Sequence, residues 1–105
     1  MFEWIKNLLA KAWDWIKKIF VKIINFFANI KSWFTQASRL KKLKEDKNKV
    51  AVVIKETLDN GDYNVVNCLF DEETNTLDDA EVVQSEDIDQ KTRDSFGNRD
   101  MIVLS

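Results

Sequence analysis

The chain of 105 residues has no histidine, no proline, two glycines and one cysteine. Without histidine it lacks the commonest general base near neutral pH and the commonest zinc ligand. A lone cysteine, Cys68, forms no internal disulfide, which suits a reducing compartment. With no imidazole to activate it, its reading is a small buried hydrophobe within a strand. So few glycines leave no Gly-rich phosphate loop. Long apolar runs are missing as well. A membrane-spanning helix needs about 20 largely apolar residues. The longest uncharged run near the start, Ile23 to Ile30, is far shorter and contains Asn25 and Asn29. Lys11, Asp14, Lys17 and Lys18 interrupt any signal-peptide core. These absences predict a protein that is not an enzyme, holds no cofactor or metal, and is cytoplasmic or peripheral at a membrane.

What is present is an eleven-residue rhythm. Written in elevens from Phe2, the blocks FEWIKNLLAKA, WDWIKKIFVKI and INFFANIKSWF align. Phe2, Trp13 and Ile24 stack, as do Trp4, Trp15 and Phe26, then Ile5, Ile16 and Phe27, then Leu8, Ile19 and Ile30. Eleven residues make three helical turns at about 3.67 residues per turn, so the stripe runs nearly straight along a helix. The spacing predicts one long amphipathic helix. On a wheel its apolar arc spans roughly 200°, against the roughly 100° of an ordinary surface helix. The arc holds Phe2, Trp4, Ile5, Leu8, Leu9, Trp13, Trp15, Ile16, Ile19, Phe20, Ile23, Phe26, Phe27, Ile30, Trp33 and Phe34. Lys6, Lys11, Lys17, Lys18, Lys22 and Lys31 flank it, suited to lipid headgroups. The eleven-residue repeat resembles that of lipid-surface proteins such as apolipoproteins and synucleins. The resemblance covers the first three blocks and assigns no residue a role.

Charge divides the chain. Residues 1–44 carry ten basic and two acidic side chains, a balance of +8; residues 45–105 carry six basic and sixteen acidic, a balance of −10. A split this sharp predicts two surfaces with different partners. The second half reads as a small acidic unit. Strands are expected over 50–58, 63–70 and 77–84, with a type I′ hairpin turn at Asn60-Gly61. A short helix over 86–95, capped by Ser85 and stopped at Gly97, should precede a last strand over 101–104. The predicted fold class is therefore α+β: a long N-terminal amphipathic helix over 1–46, then a small antiparallel sheet with one short helix over 47–105. The first two strands are apolar on both faces, so the sheet needs two covers.

Asp71 to Val82 superficially resembles a calcium loop, but Thr76 and Val82 stand where an EF-hand requires glycine and glutamate. The function expected from sequence is a non-enzymatic structural or adaptor protein. Its helix would bind a membrane surface, with anionic lipid as partner, or pack in a homo-oligomeric assembly, including a virus particle. The acidic unit would meet a further protein, and nucleic acid is not expected. Two alternatives stand beside this: a membrane-active toxin or lysis-type helix restrained by the acidic unit, and a soluble homo-oligomer without a membrane role.

Overall fold

The computed structural model describes residues 3–104, without the side chains of residues 3–6 and 8. The order is α1 (Glu3–Ala12), β1 (Lys17–Ile24), a π-helical turn (Phe26–Lys31) running into α2 (Ser32–Phe34), α3 (Ala37–Glu45), β2 (Lys49–Thr57), β3 (Tyr63–Asp71), β4 (Thr76–Ile88), α4 (Gln90–Phe96) and β5 (Met101–Leu104). The five strands form one sheet in the order β1-β4-β3-β2-β5. β1 runs parallel to β4, and the other neighbours are antiparallel.

The long N-terminal helix is therefore corrected to five shorter elements, of which one is a strand. The reason lies in Lys17–Ile24, KKIFVKII. Its β-branched residues favour the pleated conformation. It also carries a second period: Ile19 and Val21 alternate with Lys18, Phe20 and Lys22. A free edge on β4 rewards that period of two more than an isolated helix rewards the period of eleven. Asn25 then restarts the helix, its side-chain oxygen accepting from the N–H groups of Phe27 and Ala28 at 3.0 and 3.1 Å.

Each sheet face has its own core. On the first face, the segment from Phe26 to Phe34 and α4 cover the sheet; Ile24, Ile30, Trp33, Phe34, Val53, Val65, Leu69, Val83 and Phe96 are buried there. On the second face, Leu9, Ala12 and Ile16 close over Val52, Ile54, Val66, Cys68 and Val82. The second cover is thus the ten residues of α1 with Ile16, and not a long helix.

Two local expectations also change. The β2–β3 hairpin closes with Gly61 N–H donating to Leu58 C=O at 2.9 Å and Leu58 N–H to Asp62 C=O at 2.8 Å. Positive φ occurs at Gly61 (91°) but not at Asn60. This is a type I turn with a glycine bulge, which needs one left-handed residue where type I′ needs two. β4 runs on through Ser85 to Ile88, so the cap of α4 is Asp89. Its carboxylate accepts from the N–H and hydroxyl of Thr92. The turn after β3 is built on Asp71, which accepts from the N–H groups of Glu73 and Thr74 and from Lys49 Nζ, the last at 2.6 Å.

Candidate interaction edge

The two outer strands of the sheet are β5, four residues long, and β1, eight residues long. The hydrogen-bond phase can be followed from the hairpin to β1. Leu58 bonds Asp62, so even-numbered residues of β2 and β3 face each other; Lys55 N–H donates outward to Asp100 C=O. Odd-numbered residues of β3 then face β4, and even-numbered residues of β4 face β1. In a parallel pair, the residue that bonds across stands opposite one that does not. Because Ile19 partners Val83 and Val21 partners Ser85, Ile19 and Val21 bond to β4. The N–H and C=O of Lys18 and Phe20 point out from the sheet.

The phase changes once. The β1–β4 register passes over Lys22, and beyond it Ile24 C=O accepts from Asp89 N–H at 2.9 Å. Side chains change with it: Ile23 is 49% exposed while Ile24 is fully buried. The pairing offset is the same on both sides of Lys22, so both strands change phase together, which directs Ile24 into the first core and leaves Ile23 outside.

The residues expected on one apolar helix face are thereby divided. Leu9 and Ile16 lie in the second core; Ile30, Trp33 and Phe34 lie in the first, with Ile19 and Phe26 half-buried against it. Trp13, Trp15, Phe20, Ile23 and Phe27 remain at the surface, with Phe20 74% exposed. Phe2, and the side chains of Trp4, Ile5, Lys6 and Leu8, lie outside the described residues. Lys11, Lys17, Lys18, Lys22 and Lys31 are exposed. β1 itself holds three lysines and no acid.

These cations are partly engaged. Lys18 Nζ donates to Trp13 C=O at 3.1 Å and stands 4.9 Å from that ring's centroid. Lys31 and Lys91 lie 5.5 and 6.0 Å from the Phe27 ring. Lys17 is in register with Glu81, whose carboxyl is raised above its usual range by burial, against the pull of Lys17 and Arg39. At the far end, Asp89 ties the strand exit to α4 by also accepting from Phe26 N–H at 3.4 Å. Burial would raise its carboxyl, but the bonds from Thr92 and Phe26 hold it below the usual range. Asp87 is likewise lowered, by Ile88 N–H and by Arg93.

Sequence reasoning missed Asp89, and it missed the open N–H and C=O groups of β1. The signal for the strand was the β-branched density of residues 16–24. Cys68 lies fully buried on the second face, and burial pushes its thiol up to about 12. Among the described residues no group of three His, Cys, Asp or Glu side chains is arranged to hold a metal ion. Nor is any described helix long and apolar enough to cross a membrane.

The membrane-surface, lipid-binding, virion and helix-packed assembly readings all rested on a continuous amphipathic helix. They fall with it: a strand replaces its middle, and its apolar residues are divided between two cores and an edge. No protein-family model matches the chain, and neither a curated protein nor a solved structure is significantly similar to it.

Proposed function

We propose that the protein is a non-catalytic binding module that captures an extended, acidic segment of a partner protein along the outer edge of β1. The observation that carries this reading is the edge itself: outward N–H and C=O groups at Lys18 and Phe20, beside an exposed Phe20 and flanked by Lys17 and Lys22. An added strand gains main-chain hydrogen bonds from such an edge and specificity from alternate side chains. Lysines on an edge strand oppose pairing between like copies. Two β1 edges together would juxtapose six lysines, whereas an acidic segment would neutralise three. Lys18, Phe20 and Lys22 share one face of β1, so the acids of the segment would meet Lys18 and Lys22 with their stems across Phe20, and its apolar residues would lie on the other face, beside Ile19 and Val21.

The test uses an eight-residue peptide alternating glutamate with valine, and its lysine counterpart, titrated into the full chain by calorimetry. The glutamate peptide is expected to bind and to weaken as salt rises; the lysine peptide is expected not to bind. Phe20→Pro removes an outward N–H and leaves the bonds to β4 intact. A main-chain hydrogen bond contributes about 0.5–1.5 kcal/mol. With the lost Phe20 packing, affinity should fall about tenfold, since tenfold is about 1.4 kcal/mol. Equal binding by the proline variant, or no binding by the parent chain, overturns the reading. Sedimentation of the chain alone is expected to give a monomer; a dimer abolished by Phe20→Pro would assign the edge to a second copy.

A further inference from the structure

A second site lies between the C-terminal half of α1 and the second face of the sheet. A cavity of about 540 Å³ opens there, lined by Leu9, Ala10, Trp13 and Asp14 from the α1 side and by Ile54, Glu56 and Val66 from the sheet. Three of these define a square on the sheet. Ile54 partners Val66, and Glu56 partners Asn64, the fourth corner, on the same face. Asn64 is 8% exposed. Its Nδ2 donates to Glu56 Oε1 at 3.3 Å, while its Oδ1 is buried and has no partner. Reversing the amide would set its oxygen against the Glu56 carboxylate, so the acceptor is the atom left over.

The surroundings specify what would satisfy it. The walls are apolar: Leu9, Ile54, Val66 and the Trp13 ring. Apart from the Trp13 indole N–H, the polar side-chain groups of the lining are the Asp14 and Glu56 carboxylates, and Asn64 Oδ1 lies buried beneath the neighbouring Glu56. The cavity also faces the carbonyl end of α1, which favours positive charge. Lys18, beside Trp13, is engaged on the Trp13 carbonyl and ring. An ammonium group has three donors and no acceptor.

We infer that this cleft binds a primary amine attached to an apolar body, the ammonium held by Glu56 and Asn64 Oδ1 and the hydrocarbon lying between Leu9, Trp13, Ile54 and Val66. Glu56 is exposed, so its side chain can turn outward to admit the ammonium above Asn64. The site is distinct from the β1 edge and does not depend on the strand-capture reading.

The probe is hexylamine, titrated into the full chain and followed by amide chemical shifts, with hexanol and hexanoate as comparisons. Hexylamine is expected to shift Leu9, Trp13, Ile54 and Val66 and to bind at least about tenfold more tightly than hexanol. Hexanoate is expected not to bind. Glu56→Gln, exposed and outside both cores, should reduce hexylamine affinity to the hexanol value. Phe20→Pro should leave hexylamine binding unchanged, which separates this site from the edge. Equal affinity for hexanol and hexylamine, or an unaffected Glu56→Gln variant, overturns the inference and leaves a plain apolar cleft.

Discussion

Asp89 joins two structural tasks in one carboxylate. It caps α4 through Thr92 and reaches back to Phe26 N–H, where the chain leaves β1. Losing a cap of this kind costs about 1 kcal/mol, with a range of about 0.5–2. Asp89→Ala is therefore expected to lower the urea unfolding free energy by about 1–2 kcal/mol; no change would deny it both tasks. The acid response follows from the same chemistry. Asp71, bonded by Lys49 and the Thr74 and Glu73 N–H groups, is held below its ordinary value, as are Asp87 and Asp89. A depressed carboxyl contributes stability above its unfolded pKa of about 3.9, and that stability is lost as pH falls through the folded value. Glu81 has the opposite sign. Burial raises its carboxyl, so its ionisation opposes folding and its protonation favours it. Glu81→Gln should raise the melting temperature at pH 7, and the gain should vanish as acid protonates Glu81 in the parent chain. A gain that persists unchanged into acid would show that packing, and not charge, is responsible.

At the scale of elements, β1 decides between two periodicities that its sequence carries together. A helix over 2–34 would set Ile16, Ile23 and Phe27 at the centre of one arc. The fold separates them: Ile16 is 4% exposed, whereas Ile23 and Phe27 are about half exposed. Ile16→Ala should cost about 2–5 kcal/mol, the range for truncating a buried isoleucine. Phe27→Ala should stay within about 0.5–1 kcal/mol, as surface changes do. Similar costs at both positions would restore the single apolar face. Much of the second half was legible because its signals are local. Asp59-Asn60-Gly61 marks a hairpin, Val50 to Ile54 and Val65 to Phe70 mark buried strands, and Gly97, with φ of 60°, ends α4. The first half was not legible, because its outcome depends on a distant partner. KKIFVKII becomes a strand only when the β4 edge, more than fifty residues later, is there to bond it. The same gap hid the candidate edge: an outward N–H at Phe20 is a property of sheet phase, which no local pattern encodes.

At the scale of the molecule, one sheet buries an apolar face on each side. The Lys49–Asp71 and Arg39–Asp79 pairs bind α3 and its following strand to the β3–β4 end. Arg39 also stacks 4.0 Å from the Trp33 ring centroid. Cys68 reports on the second core as a whole. Its thiol is fully buried and pushed up to about 12, so a thiol reagent should label it only as fast as the chain opens. Labelling in the native chain at the rate of a free thiol would mean that α1 does not cover the second face. The central claim is that β1 is an outer strand with one set of amides bonded to β4 and the other open to a partner. Amide hydrogen exchange, residue by residue along Lys17–Phe20 and on to Val21, tests it most directly. The account predicts alternation: Ile19 and Val21 exchange orders of magnitude more slowly than Lys18 and Phe20, and the latter two become protected when the glutamate–valine peptide binds. Uniform protection from Lys17 to Val21 in the free chain, as in a continuous helix, would contradict it.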